Sequence, residues 1–125
     1  MSGRLLDTNI VIALFAQDQS VTEKLAEVEE VFVPSIVLGK LYFGAHRSAR
    51  AEDNISRLDE FAERSAILHC DRLTAKHYGQ IKHKLKVGGT PIPENDIWIS
   101  ALSQQFNLTL ITRDKHFSAV DGLKL

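Results

Sequence analysis

Short apolar runs alternate with amphipathic stretches along the whole chain. Polar or turn-forming residues bound each run, and the four runs are Arg4–Leu6, Val31–Val33, Ala66–Leu68 and Leu108–Thr112. Their apolar residues do not alternate with polar ones, which favours strands that are covered on both faces, as in a parallel sheet. A fifth strand is predicted over residues 122–125, at an edge of the sheet.

The stretches between the runs carry helical spacing and helix-start signals. Helices are predicted over Ile10–Phe15 with Thr8 or Asn9 near the N-cap, Val21–Val28, Ile36–Arg47 with Ser35 as N-cap, Ala51–Arg64, a segment with Leu73, His77, Tyr78, Ile81 and Leu85 on its inner face, and Asn95–Phe106 with Trp98 and Phe106 inward. This alternation predicts one α/β domain over residues 1–125, an α/β/α sandwich around a parallel sheet of about 4–5 strands.

Composition excludes several classes of protein. The hydrophobic content of 44% and charged content of 25% are ordinary for a folded globular chain. The single cysteine, Cys70, excludes an internal disulfide framework and is interpreted as a buried thiol. No apolar run is long enough to span a membrane, and no signal peptide is recognised, so the cytoplasm is the expected compartment. A net charge of −1 gives no overall attraction for nucleic acid, so RNA binding requires a local basic patch or a bound cation.

Three acids stand at the ends of predicted elements. Asp7 follows the first strand, Asp114 lies two residues past the fourth strand, and Asp96 lies in the first turn of the helix that leads into that strand. In open parallel sheets, ligands bind beyond the carboxyl ends of the strands where the strand order reverses. Clustered carboxylates repel one another unless a cation neutralises them, and oxygen ligands suit Mg²⁺ or Mn²⁺. Taken singly, each acid has a plain alternative as a helix cap, a dipole-favoured residue or a turn residue.

Four segments resemble the signature segments of PIN domains, most closely those of VapC-type toxins of bacterial type II toxin–antitoxin systems. They are Leu5–Asn9, Val33–Gly39, Pro93–Ala101 and Leu110–Phe117, in the family's order and with similar spacing. The resemblance implies a Mg²⁺- or Mn²⁺-dependent endoribonuclease, a homodimer held inactive by a cognate antitoxin protein. Asp7, Asp96 and Asp114 match the family's metal-binding acids, and Thr112 matches its hydroxyl residue.

The position of the family's second acid, a glutamate after a glycine in the helix that follows the second strand, is occupied here by Lys40. A lysine there changes the local charge by two units and cannot coordinate a cation. Three outcomes remain open: Lys40 pairs with one of the acids and disarms the site, it turns aside while metal binds weakly, or it extends to solvent unrelated to the site. The alternative function is therefore an inactive PIN-like module that retains antitoxin or RNA binding. Glu94 is a candidate replacement carboxylate.

Basic residues near the acids offer a path for the RNA backbone. Lys82 and Lys86 precede the glycine loop, and Arg113 and Lys115 flank Asp114. A solvated helix end is the alternative interpretation of the lysines. The histidines have no ligand spacing, and His116 is interpreted as a surface or capping residue. A phosphoacceptor receiver domain is a third class, but the first strand ends in one Asp followed by Thr8 and Asn9 rather than in an acidic pair.

Overall fold

Four short parallel strands and six helices make up the computed structural model, which describes residues 3–28 and 30–125. The strands are β1 (Arg4–Leu6), β2 (Val31–Pro34), β3 (Ala66–Leu68) and β4 (Thr109–Ile111). The helices are α1 (Thr8–Phe15), α2 (Gln19–Ala26), α3 (Ser35–His46), α4 (Ala51–Arg64), α5 (Arg72–Val87) and α6 (Glu94–Gln105). A 3₁₀ helix, Lys115–Ala119, follows β4.

The strand order in the sheet is β3-β2-β1-β4, with every neighbouring pair parallel. Leu5 pairs with Phe32 on one side and with Leu110 on the other. The chain therefore moves outward from β1 to β3 and then returns across the sheet to β4. Because parallel crossovers are right-handed, the helices before β3 and those after it cover opposite faces. The predicted α/β fold with a central parallel sheet is confirmed.

Helix α6 lies between the sheet and α5. Its Ile99 and Leu102 belong to the large apolar cluster of the sheet, whereas its Ile97 and Ala101 pack in a second cluster with Ile81 of α5. All of α6 from Asp96 to Ser103 is buried except Trp98, which is partly exposed. Packing on two sides fixes the first turn of α6, and with it Asp96, relative to the strand ends.

The fifth strand predicted over residues 122–125 is wrong for the described chain. This segment nevertheless lies beside the exposed edge of β4, because the amide of Leu110 donates a hydrogen bond to the carbonyl of Lys124 (2.8 Å). One such bond covers part of the edge without forming a ladder. Within residues 3–28 and 30–125, no helix has both the length and the apolar character needed to cross a membrane.

Thr8 and Asn9, predicted near the N-cap of α1, directly follow it, and the predicted N-cap of α3 is wrong by one residue. Asp7 rather than Thr8 or Asn9 caps α1, and Pro34 rather than Ser35 stands at the N-cap of α3, where no side chain closes the first turn. Asp, Thr and Asn are all good N-cap residues, so three in succession leave the choice to the strand that precedes them.

Two apolar residues that were predicted to face inward are exposed, Leu73 by 50% and Phe106 by 38%. Leu73 lies in the first turn of α5, and Phe106 immediately follows α6. Helical spacing predicts a face, but at the ends of a helix the neighbouring layer no longer covers that face.

The two ends of α5 provide a test of this packing. Leu85 is 4% exposed and Leu73 is 50% exposed, on the same helix. We expect Leu85→Ala to lower the free energy of unfolding by about 2–5 kcal/mol, because it leaves a cavity in the cluster between α5 and α6. Leu73→Ala is the matched control, with an expected loss under about 0.5 kcal/mol. Urea denaturation measures both, and equal losses would contradict the placement of α5.

Candidate metal centre at the carboxyl edge of the sheet

Asp7 is the buried acid at the end of the central strand, with its side chain 2% exposed. One carboxylate oxygen accepts a hydrogen bond from the amide of Thr8 (2.8 Å), and the other accepts from the hydroxyl of Thr112 (2.7 Å). The Asn9 amide nitrogen lies 3.5 Å from that second oxygen. The backbone amide of Asp7 donates to the carbonyl of Ile111 (3.0 Å). Asp7 is therefore held by both α1 and β4.

Thr112 connects the two sides of the crevice between β1 and β4. Its hydroxyl donates to Asp7 and accepts a hydrogen bond from the backbone amide of Asp114 (3.0 Å). Thr112 directly follows β4, and its hydroxyl therefore links the backbone of Asp114 to the carboxylate of Asp7.

Asp96 is the second buried acid, 4% exposed, in the first turn of α6. One of its carboxylate oxygens contacts Nε2 of His116, a half-buried residue of the 3₁₀ helix. Asp114, by contrast, is exposed and directly precedes that helix. One ligand atom from each of Asp96, Asp114 and His116 lies within 4.8 Å of the other two.

Asp96 and Asp114 act electrostatically on Asp7. Burial raises the pKa of the Asp7 carboxyl above its ordinary value of 3.8, and the charges of Asp96 and Asp114 raise it further. Hydrogen bonds from Thr112 and Thr8 act in the opposite direction. Asp7 therefore lies close enough to sense both other acids, although it is outside the compact group that Asp96 and Asp114 form with His116.

The donor set fits a divalent cation. Atoms of two carboxylates and an imidazole lie within 4.8 Å of one another, and the third carboxylate, Asp7, is buried where uncompensated charge is disfavoured. Carboxylate oxygens are ligands of hard divalent cations, and imidazole nitrogen is a ligand of transition-metal ions. The structure thus brings together the three acids singled out in the sequence and adds His116, which sequence reasoning assigned to the surface.

Lys40 lies on α3 and is exposed. In the described part of the chain it forms no ion pair with any of the three acids, so the pairing considered among the open outcomes is not present. The side chain lines an apolar groove of about 420 Å³ between α1, α3 and α4, together with Thr8 and Ile12. The hydroxyl oxygen of Thr8 is buried and has no hydrogen-bond partner among the described residues. Lys40 therefore faces the groove, whose lining contains none of the three acids.

Of the four basic residues predicted to track RNA, two have acidic partners. Lys82 pairs with Glu94 (3.2 Å), and Glu94 also accepts from the hydroxyl of Tyr78. These contacts direct Glu94 toward α5, so it is not a substitute ligand beside Asp96. Lys86 and Lys115 are exposed.

Arg113 holds the loop after β4 against the start of α2. Its guanidinium pairs with Asp18 (2.7 Å), whose pKa this contact holds well below its ordinary range. Its backbone amide donates to the side chain of Asn9 (3.2 Å). The segment that carries Asp114 is thus tied to both α1 and α2.

Two further side chains differ from their sequence interpretation. Cys70 is exposed rather than a buried thiol, because it lies in the connection between β3 and α5. Trp98 is partly buried and stacks on Tyr78, with ring centroids 4.1 Å apart and an interplanar angle of 14°. The contact joins α6 to α5 near the acids.

Comparison with known proteins shows the family to which the chain belongs. The PIN domain family model matches residues 4–123. The chain is 33% identical to ribonuclease VapC2 of Haemophilus influenzae, over 96% of this chain and 93% of that protein. It is 30% identical to the tRNA(fMet)-specific endonuclease VapC of Shigella flexneri, again over 96% of this chain and 93% of that protein.

Solved structures of VapBC complexes show the same relationship. VapBC2 from Rickettsia felis, bound to a DNA fragment from its promoter, superposes with a TM-score of 0.88 and 31% identity, covering 98% of this chain and 96% of that chain. DNA-bound VapBC from Salmonella typhimurium gives a TM-score of 0.90 and 27% identity, covering 99% and 96%. The chain therefore belongs to the PIN domain family, and within it to the VapC-type toxin–antitoxin ribonucleases.

The raised pKa of Asp7 predicts a specific dependence of stability on pH. A carboxyl whose folded pKa is raised stabilises the fold fully below its unfolded value of 3.8, and this contribution is lost as the pH rises through the folded pKa. Asp7→Asn removes the titration and keeps an acceptor for Thr8. We expect its unfolding free energy, relative to the native chain, to increase from about pH 4 to about pH 8 in EDTA.

Urea denaturation at several pH values checks this expectation. Asp121→Asn, at an exposed acid in the turn after the 3₁₀ helix, is the control and should show no such trend. If the difference in unfolding free energy between Asp7→Asn and the native chain stayed constant across the pH range, the raised pKa of Asp7 would be contradicted.

Proposed function

We propose that this chain is the Mg²⁺- or Mn²⁺-dependent endoribonuclease of a type II toxin–antitoxin system. The observation that carries the proposal is the meeting of Asp7, Asp96 and Asp114 where the strand order reverses, in a chain related to VapC ribonucleases. The proposed substrate is RNA, whose phosphodiester bonds are cut by water. Such a substrate and a protein antitoxin require the cytoplasm as the working compartment.

Each acid has its own part in this proposal. Asp96 and Asp114 hold the cation, and Asp7 completes the negative wall of the crevice as a further ligand. The hydroxyl of Thr112 orients Asp7 through its 2.7 Å hydrogen bond. A divalent cation bound there supplies positive charge for the phosphate and lowers the pKa of water. In the absence of RNA, the hydrogen bonds from Thr8 and Thr112 hold the carboxylate of Asp7 in place.

The basic residues near the acids are the proposed path of the RNA backbone. Lys86 is exposed at the last turn of α5, and Lys115 follows Asp114. Lys82 and Arg113 contribute less free charge, because Glu94 and Asp18 partly neutralise them. A local patch is what a chain with a net charge of −1 requires for binding a polyanion.

The proposed partners are a cognate antitoxin and a second copy of the chain. The relatives of known structure include VapBC complexes, which supports an antitoxin partner here. The chain also leaves Ile12 and Phe43 exposed, by 55% and 63%, and Ile12 lines the apolar groove between α1, α3 and α4. Apolar surface of this kind is typical of protein contacts.

Lys40 favours a second candidate, an inactive PIN-like module that retains antitoxin or RNA binding. Its ammonium group carries a positive charge on α3, at the position where the family's glutamate would carry a negative one. A positive charge there opposes a bound cation even without a direct ion pair, since the interaction is felt over several ångströms.

Restoring the glutamate tests whether Lys40 disarms the site. We expect Lys40→Glu to cleave RNA at least about tenfold faster than the native chain with Mg²⁺ or Mn²⁺, comparable to the effect of a residue that supports a metal site. Lys40→Gln separates relief of the positive charge from gain of a carboxylate. Asp96→Asn in the Lys40→Glu background controls for contaminating nuclease. Equal, strong cleavage by the native chain and Lys40→Glu would refute the disarming role.

Reversing charge on α5 tests the RNA path. We expect Lys82→Glu with Lys86→Glu to weaken RNA binding and to reduce the slope of log affinity against log salt by about one for each lost phosphate contact. Arg64→Glu is the matched control, because Arg64 precedes β3 and so lies at the opposite edge of the sheet. Fluorescence anisotropy over a salt series measures the slope for the native chain and for each variant. If the double variant had the same slope as the native chain, the proposed RNA path would be refuted.

A further inference from the structure

His116 stands inside the acidic group rather than at its margin. Its Nε2 atom contacts the carboxylate of Asp96, and Asp114 supplies the third ligand atom of the compact group within 4.8 Å. The neighbouring Phe117 is completely buried and anchors the 3₁₀ helix in the core. The imidazole is therefore presented from a fixed backbone.

The donor set lacks one carboxylate that the family pattern would provide. Lys40 occupies that position, and its side chain lines the groove instead. Glu94 does not replace the carboxylate, since it contacts Tyr78 and Lys82. Among the described residues, the imidazole of His116 is the group that lies with Asp96 and Asp114 within 4.8 Å.

We infer that His116 is a direct ligand of the divalent cation, together with Asp96 and Asp114, and shifts the preference of the site from Mg²⁺ toward Mn²⁺, Co²⁺ and Zn²⁺. The inference rests on the proposed function for the presence of a cation between these acids. Mg²⁺ favours oxygen ligands, whereas imidazole nitrogen binds transition-metal ions well. Ligation needs the neutral imidazole with its proton on Nδ1, which leaves the Nε2 electron pair for the ion.

A positioning role is the competing explanation. His116 would then donate a hydrogen bond to Asp96 and orient it, while only oxygen atoms bound the ion. The two explanations differ in whether nitrogen touches the ion, so spectroscopy of the metal separates them without any RNA.

The primary measurement is electron spin-echo envelope modulation of Mn²⁺ added to the metal-free native chain, which detects nitrogen nuclei bonded directly to the ion. We expect nitrogen coupling in the native chain and its loss in His116→Gln, which keeps an N–H donor for Asp96. His83→Gln, at an exposed histidine of α5, should keep the coupling. Bound Mn²⁺ without nitrogen coupling, or no Mn²⁺ binding at all, would overturn the inference.

Calorimetry with Mg²⁺ and Zn²⁺ adds a second criterion. We expect His116→Gln to lower Zn²⁺ affinity at least about tenfold, with a much smaller change for Mg²⁺. An equal loss for both cations indicates an orienting role and overturns the inference. Thermal unfolding of each variant establishes that it is folded. If His116→Gln does not fold, His116→Asn takes its place, and a native spectrum without nitrogen coupling overturns the inference in either case.

Failure of this inference is distinguishable from failure of the proposed function. Cleavage of RNA with Mg²⁺ by Lys40→Glu, without nitrogen coupling to Mn²⁺, keeps the ribonuclease and removes the ligand role of His116. Nitrogen-coupled Mn²⁺ in a chain that cleaves no RNA, with or without Lys40→Glu, keeps the ligand role and removes the ribonuclease.

Discussion

The hydrogen bond from the amide of Asp7 to the carbonyl of Ile111, 3.0 Å long, joins the ends of the two strands between which the site forms. It exists because the chain builds β1, β2 and β3 outward and then returns to place β4 on the other side of β1. The strand ends that meet there carry Asp7 and Thr112. Every other part of the site depends on that reversal, since α6 delivers Asp96 on the path back to β4.

Electrostatic cost is the second constraint on this crevice. Burial raises the pKa of the Asp7 carboxyl, and the charges of Asp96 and Asp114 raise it further. A fold that keeps such a group of acids gives up some stability at neutral pH, and a bound cation recovers it. Lys40, which occupies the position of the family's glutamate, does not neutralise these acids, because among the described residues it forms no ion pair with them. The chain therefore has a group of residues that could hold a metal ion, with one carboxylate fewer than the family pattern.

The extent to which sequence predicts this structure differs between elements. The limits of α4 and β3 match the predicted Ala51–Arg64 and Ala66–Leu68, because a clear helical period and a short apolar run settle them locally. The three acids are recognisable because each follows or begins an element. The contact between Asp96 and His116 spans twenty residues and depends on how the 3₁₀ helix packs, which no local pattern reveals. Exposure of Leu73 and Cys70 likewise depends on where the neighbouring layer ends.

Asp18 illustrates how a surface contact reaches the interior of such a site. Its carboxylate accepts hydrogen bonds from the amides of Ser20 and Val21 at the start of α2, and it also holds the guanidinium of Arg113. Unwinding of the first turn of α2 therefore releases Arg113, the residue next to Asp114. Local opening at the start of α2 thereby removes one of the contacts that hold the segment carrying Asp114. Amide hydrogen exchange at Val21 and Asp114 would then proceed through a shared open state, although the two positions lie far apart in the chain.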